Sequence, residues 1–153
     1  MQIVGLPLSS PNAALPVVRL VADRLTLAKR RWRGTAEDGV EFGFELERPL
    51  RHAEAFWQTD AARYVIEQRP EAVLAVALDM APSAAAGIGW AVGNLHLELQ
   101  AEPARLLAAD EPAVRQLFAR LAVPYTPMTA IFRPGRFARG ALPSHDLGPS
   151  HQH

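Results

Sequence analysis

Residues 90–99 read WAVGNLHLEL and join an Ala/Gly-rich segment to a segment of alternating polarity. Gly93 and Asn94 are residue types that tolerate the left-handed backbone conformation in which helices commonly end. From residue 95 to residue 100, leucine alternates with polar residues, which is the period of a strand with one apolar face. This stretch predicts a helix ending at Gly93-Asn94, then a strand, with His96 on the polar face of that strand.

The segments on both sides predict the order strand, helix, strand, strand, helix, strand. A proline-bounded apolar run suits a buried strand, and Asp110 with Pro112 predicts the start of the second helix, with Asp110 as its N-cap. This order is the ferredoxin-like split βαβ pattern. The six segments are 73–78, 84–92, 95–100, 104–108, the helix after Asp110, and 125–132.

The first half of the chain predicts strands. Residues 40–46 alternate between apolar and polar side chains, and Asp38-Gly39 before them is typical of a hairpin with a type I′ turn. Residues 56–57 and 64–66 are expected to be short strands, and a helix capped by Asp60 is the alternative.

A polar, proline-containing segment at residues 67–71 predicts a domain boundary. The fold class is therefore α+β. Residues 1–70 are expected to form an N-terminal all-β domain, and residues 71–134 a ferredoxin-like domain. Residues 135–153 are rich in Pro, Gly, Ser and His and predict a flexible tail. That tail carries His145, His151 and His153, and a short tail with several histidines suggests metal capture.

Composition excludes several classes of function. The chain of 153 residues has 16 basic and 16 acidic residues, so no overall charge favours nucleic acid. It has no cysteine, which leaves histidine and carboxylates as metal ligands and suits nickel, cobalt, copper or zinc. No apolar run reaches the roughly 18 residues of a membrane span. The early prolines make a poor signal peptide, so a cytoplasmic protein is expected.

The basic run at residues 29–33 has two interpretations. It could bind nucleic acid, or Arg31 and Arg33 could lie opposite the acidic face formed by Glu41, Glu45 and Glu47 on the next strand. Opposite charges pair across strands routinely, and no aromatic stacking platform lies nearby. We therefore expect neither a nucleic-acid nor a membrane partner.

His96 is the candidate metal ligand, because neutral imidazole offers a lone pair near pH 7. A single histidine at such a position is more often an ordinary surface or interface residue, and His52 is expected to be one. A resemblance to a known family changes the interpretation of His96.

Three stretches together resemble the family of urease accessory protein UreE, a nickel metallochaperone. They are LTLAKRRWRGTAEDGVEFGFEL in the first half, GWAVGNLHLELQ in the middle and DEPAVRQLFARLAVPYTPMTAIFRP near the end. The Gly-Asn-x-His element at residues 93–96 is the most specific part. The resemblance covers about residues 17–134 and is followed by the histidine-bearing tail.

The resemblance implies an N-terminal domain similar to the peptide-binding domain of Hsp40-type chaperones and a ferredoxin-like domain that forms a homodimer. It implies that His96 and its symmetry mate share one Ni²⁺ and that His145, His151 or His153 complete the coordination. Zinc or copper could occupy the same ligand set. Some members carry a second histidine where this chain has Asp110, so a single shared site is expected. Its affinity should fall below about pH 6, since protonated imidazole cannot ligate.

The sequence leaves three functions to consider. The first is a nickel chaperone that delivers Ni²⁺ for assembly of the urease active site, with the urease-assembly GTPase UreG and the apo-urease/accessory-protein complex as partners. The second is a homodimeric peptide- or protein-binding module with no specific metal role. The third, a hydrolase with His96 as general base, lacks a paired nucleophile, a phosphate loop and a carboxylate cluster in the sequence. No enzyme activity is therefore expected.

Overall fold

The structure is a computed structural model that describes the backbone of residues 1–139 and 142–146 and the side chains of residues 1–135. The chain divides into two compact units, Met1–Arg69 and Pro70–His153. No helix in the described residues is long and apolar enough to cross a bilayer. The cytoplasmic location stays a prediction.

The first unit contains two three-stranded sheets, with strand orders β1-β4-β3 and β2-β6-β5. The strands expected at residues 56–57 and 64–66 are confirmed, and the alternative helix after Asp60 is wrong. The elements are β1 Gln2–Val4, β2 Val17–Ala22, a short helix α1 Arg24–Leu27, β3 Arg31–Thr35, β4 Glu41–Glu45, β5 Ala55–Gln58 and β6 Arg63–Gln68.

Aromatic rings from both sheets form the core of the first unit. The Phe42 ring lies 5.0 Å from that of Phe56 and 5.1 Å from that of Tyr64, both edge-on. Such tilted contacts are the favoured geometry for aromatic pairs. The alternation of residues 40–46 therefore sends Phe42 and Phe44 inward, where both are fully buried.

The hairpin between β3 and β4 is confirmed, but its turn type differs from the prediction. Ala36 and Val40 close a three-residue loop, and only Gly39 has a positive φ, of 85°. This is a type I turn followed by a left-handed glycine, not the two-residue type I′ turn. In the resulting register Arg31 lies opposite Glu45, as the cross-strand interpretation of the basic run expects.

The second unit has the predicted βαββαβ order and an antiparallel sheet with strand order β10-β7-β9-β8, which is the ferredoxin-like arrangement. A hairpin follows the last of these strands. The elements are β7 Glu71–Ala77, α2 Pro82–Asn94, β8 Leu99–Ala101, β9 Arg105–Ala109, α3 Pro112–Arg120, β10 Thr126–Ala130, and the paired strands β11 Arg136–Arg139 and β12 Leu142–Asp146.

The sheet of the second unit buries both faces. One face packs against α2 and α3 in a cluster that includes Leu74, Val92 and Phe118. The helix-free face carries Val73, Leu107 and Ala109, which pack with Phe132. A strand buried on both faces needs a continuous apolar run, and residues 73–78 supply it.

Part of the predicted flexible tail has regular backbone structure, since β11 and β12 pair antiparallel. Composition suggested no structure here, but a strand pair forms through backbone hydrogen bonds, which composition alone does not reveal. Residues 140, 141 and 147–153 lie outside the description.

Candidate metal centre

His96 lies at the C-terminal end of α2 and not on a strand. The helix continues through Gly93 to Asn94 and is capped by Leu95, and β8 begins only at Leu99. The prediction that the helix ends at Gly93-Asn94 is confirmed, although the C-cap is Leu95 and the left-handed residue is His96. The prediction that His96 lies on a strand face is wrong, because a capping turn separates the helix from β8.

The end of α2 is a Schellman motif in which histidine takes the position usually filled by glycine. The His96 N–H donates to the Gly93 carbonyl at 2.9 Å, and the Leu97 N–H donates to the Val92 carbonyl at 3.1 Å. These are the two hydrogen bonds that define the motif. Leu97 packs on the cluster that contains Val92, which supplies the hydrophobic contact that usually accompanies it.

The motif holds His96 in a strained backbone conformation with an exposed side chain. Its φ is 56°, in the left-handed region, which costs an L-residue roughly 1–2 kcal/mol. Non-glycine residues held there cluster at functional sites. The side chain also lies at the negative end of the helix dipole, and the last turn of α2 has no basic residue. A cation bound at His96 would therefore be stabilised by the helix.

An exposed helix face lies on the N-terminal side of His96. Ser83, Gly87, Trp90 and Asn94 recur at helical spacing and are all exposed, and we call them the α2 face. Trp90 is 71% exposed, although a large apolar side chain gains most from burial. A Cβ added at Gly87 would meet nothing within 4 Å. Within the described part of the second unit, no contact accounts for the exposed tryptophan or for the glycine at position 87.

A chain segment that we call the strap, residues 131–135, connects the β10 edge of the sheet to the β8 edge. These strands lie at opposite edges. Phe132 is fully buried on the helix-free face between them. The Gly135 N–H then donates to the Leu99 carbonyl at 2.8 Å. Because Leu99 is three residues from His96, the residue that the strap contacts lies at most about 10 Å from that histidine.

Of the three predicted tail ligands, only His145 lies in the described backbone. His145 is in β12, paired with Phe137 of β11, and β11 lies beside β8. His151 and His153 lie outside the description. Among residues 1–135, whose side chains the structure describes, no cluster of three or more histidine or carboxylate groups could hold a metal ion.

The family follows from two sequence comparisons. The family model described as "UreE urease accessory protein, C-terminal domain" matches residues 71–153. "Urease accessory protein UreE" of Rhodobacter capsulatus is 34% identical over 128 residues, which cover 81% of this chain and 79% of that protein. The chain belongs to the UreE family.

Membership in the UreE family makes the chain a urease accessory protein and not an enzyme, as the sequence predicts. It also links the chain to the urease assembly machinery and, in general terms, to the handling of nickel. His96 falls within the region matched by the family model.

Two other polar side chains of this UreE-family chain, His52 and Asp110, are held by hydrogen bonds within the fold. The Gln68 N–H donates to His52 Nδ1 at 3.1 Å, so the neutral His52 ring carries its hydrogen on Nε2 and has no lone pair left for a metal. Asp110 binds Arg115 through both carboxylate oxygens, at 2.6 and 2.9 Å, which lowers the pKa of Asp110 below its usual value. Glu111 is the N-cap of α3, so the prediction of Asp110 as N-cap is wrong.

The first unit of this UreE-family chain has a shallow cleft of about 340 Å³ on the β1-β4-β3 sheet. It combines apolar and aromatic walls with two arginines. The similarity of this unit to the peptide-binding domain of Hsp40-type chaperones stays a prediction. The lining residues are Met1, Ile3, Arg31, Trp32, Arg33, Gly43, Phe44 and Glu45.

Proposed function

We propose that this chain is a homodimeric nickel metallochaperone that binds one Ni²⁺ between the His96 side chains of two subunits and delivers it for assembly of the urease active site. One observation carries the proposal. An exposed imidazole is held in a strained left-handed conformation at the negative end of α2, although glycine would form the same helix end without strain.

The α2 face supports a dimer axis close to His96. A two-fold axis doubles every ligand, so one imidazole in the sequence becomes two at the metal. Trp90 and Leu95 are exposed apolar residues, one before and one after the end of α2. Burial of this surface against a second copy would remove apolar area from water and bring the two helix ends together.

Histidines of the tail complete the proposed coordination. His145, His151 and His153 are the candidates, and the strap supports their role because it starts the tail on the same side of the sheet as β8. Imidazole nitrogens with water suit Ni²⁺, and zinc or copper would accept the same ligands. Ligands on a tail could leave the metal one at a time, which suits transfer. The proposed recipients are the urease-assembly GTPase UreG and the apo-urease/accessory-protein complex.

A second candidate function is a homodimeric peptide- or protein-binding module with no specific metal role. The cleft on the β1-β4-β3 sheet favours it, because apolar walls with two arginines suit a peptide that carries apolar and acidic side chains. In that case His96 would only pack at the dimer interface.

Calorimetric titration of Ni²⁺ at pH 7 separates the two functions. The wild type is expected to bind about one tight ion per dimer, and His96→Ala should abolish that binding because it removes both central ligands at once. His52→Ala is the matched control, since it removes an imidazole that hydrogen-bonds Gln68. Unchanged nickel binding in His96→Ala would exclude the chaperone proposal and leave the binding module.

A further inference from the structure

Gln100 is a buried amide at the point where the strap reaches the β8 edge. The residue is 7% exposed, and its side-chain Oε1 accepts a hydrogen bond from the Arg133 N–H at 2.6 Å. A buried side-chain amide is costly unless its hydrogen bonds are made. Among residues with described burial, Gln68 is the other buried polar side chain, and it belongs to the first unit.

The neighbours of Gln100 fix the orientation of its amide. Its Nε2 donates to Glu102 Oε1 at 2.9 Å, and Glu102 Oε2 in turn accepts from Arg105 Nε at 2.5 Å. An ionised carboxylate only accepts hydrogen bonds, so the NH₂ group of Gln100 must face Glu102. The carbonyl oxygen is then held toward the strap, where it can receive the Arg133 N–H.

We propose that Gln100 is a positioning residue for the nickel site, which fixes the strap so that the tail starts beside the His96 end of β8. This inference rests on the proposed nickel function. Phe132 fixes the strap on the helix-free face, and the Gly135 N–H continues the contact at Leu99. Gln100 binds Arg133, which lies in the strap between Phe132 and Gly135. The strap determines where the tail starts and hence the effective concentration of tail ligands at His96.

A double-mutant comparison tests this role. Nickel affinity is measured by calorimetry on the full-length dimer and on a chain cut after Gly140, each with wild-type Gln100 and with Gln100→Leu. Leucine has similar volume but cannot accept the Arg133 N–H. We expect Gln100→Leu to weaken nickel binding about tenfold in the full chain, as outer-shell substitutions commonly do. In the shortened chain the effect should be less than about twofold.

Two results would overturn the inference. An equal loss in both chains would mean that Gln100 acts through general stability and not through the tail. No loss in either chain would mean that the strap does not need Gln100. Gln68→Leu is the matched control for burying an apolar side chain in place of a glutamine, and it should leave nickel affinity unchanged. If Gln100→Leu does not fold, Gln100→Met replaces it in the same comparison.

The proposed function can fail independently of this inference. If His96→Ala leaves nickel binding intact, the shared-imidazole site is wrong, whatever Gln100 does. If His96→Ala abolishes binding while Gln100→Leu affects both chains equally, the nickel site stands and only the positioning role is lost.

Discussion

Two residues of the second unit adopt the same strained conformation at the ends of its two helices. Ala122 follows α3 as His96 follows α2, with φ of 53° and 56°. The Val123 N–H donates to the Phe118 carbonyl and the Ala122 N–H to that of Ala119, so α3 also ends in a Schellman motif. The backbone therefore needs a left-handed residue at both places but does not need a histidine.

Glycine substitutions at positions 96 and 122 should separate the effect on stability from the effect on nickel binding. His96→Gly and Ala122→Gly remove similar steric strain, so each is expected to raise the free energy of unfolding by about 1 kcal/mol. Chemical denaturation in the absence of metal measures it. His96→Gly should abolish nickel binding, whereas Ala122→Gly should leave it unchanged.

If His96→Gly still binds nickel, the proposed nickel site at His96 is wrong. The pair of variants contradicts the argument from strain if Ala122→Gly is stabilised but His96→Gly is not. The latter result would mean that the His96 side chain itself supports the fold.

At the scale of single residues, the sequence identified His96 but not its conformation. The Gly-Asn-x-His element indicated the ligand. The alternation of leucines after Asn94 predicted a strand from Leu95, but the strand starts only at Leu99. Leu97 packs from the turn after the helix, whereas Leu95 is exposed and Leu99 packs from β8. Single-residue geometry at such a junction depends on where the last helical hydrogen bond falls, which tertiary packing decides.

At the scale of elements, α2 is the least explained part of the second unit. It is rich in Ala and Gly, and of its apolar residues only Ile88 and Val92 are fully buried. A Cβ at Gly87 or Gly93 would meet no atom within 4 Å outside the helix's own backbone, and one at Gly89 would meet only Leu99, at 3.8 Å. The Gly87 and Gly93 positions of α2 therefore leave room for the second copy in the proposed dimer.

Trp90→Ala should therefore weaken the proposed dimer. A central tryptophan commonly contributes 2 kcal/mol or more to an interface, so the dissociation constant of the dimer is expected to rise by tenfold or more. Sedimentation equilibrium without metal measures this constant. The control is Leu121→Ala, because Leu121 is an exposed apolar residue, 43% accessible, next to the other helix end.

An unchanged dimer in Trp90→Ala would show that the subunits meet elsewhere. Equal weakening by Leu121→Ala would extend the interface to the end of α3. If the dimer forms through the α2 face, loss of dimerisation and loss of tight nickel binding should appear together in Trp90→Ala.

Most elements were predictable because their patterns are local. The alternating strand β4, the apolar strand β7 and the face of α3 follow from periods of 2 and 3.6 residues. The prediction of Asp110 as the N-cap of α3 was wrong, since Arg115 binds its carboxylate and holds it away from the cap position. The strap was not predictable, because its path depends on the burial of Phe132 and on contacts with Leu99 and Gln100, which lie more than 30 residues earlier in the sequence.

At the scale of the molecule, each unit has its own core. The aromatic cluster around Phe42 and Phe44 lies wholly in Met1–Arg69, and both clusters that cover the second sheet lie in Pro70–His153. Separate cores suggest that each unit can fold alone. His96, the α2 face, Gln100 and the tail all belong to the second unit.

A fragment of residues 70–153 is therefore expected to dimerise and to bind Ni²⁺ within about twofold of the affinity of the full chain, because distant parts contribute independently. A fragment of residues 1–69 should fold but bind no tight nickel. Circular dichroism checks that each fragment is folded, and calorimetry compares nickel affinity and stoichiometry. A folded second-unit fragment that binds nickel much more weakly than the full chain would mean that the first unit supplies a ligand or holds the dimer together. That result would contradict a metal centre built only from His96, its symmetry mate and the tail.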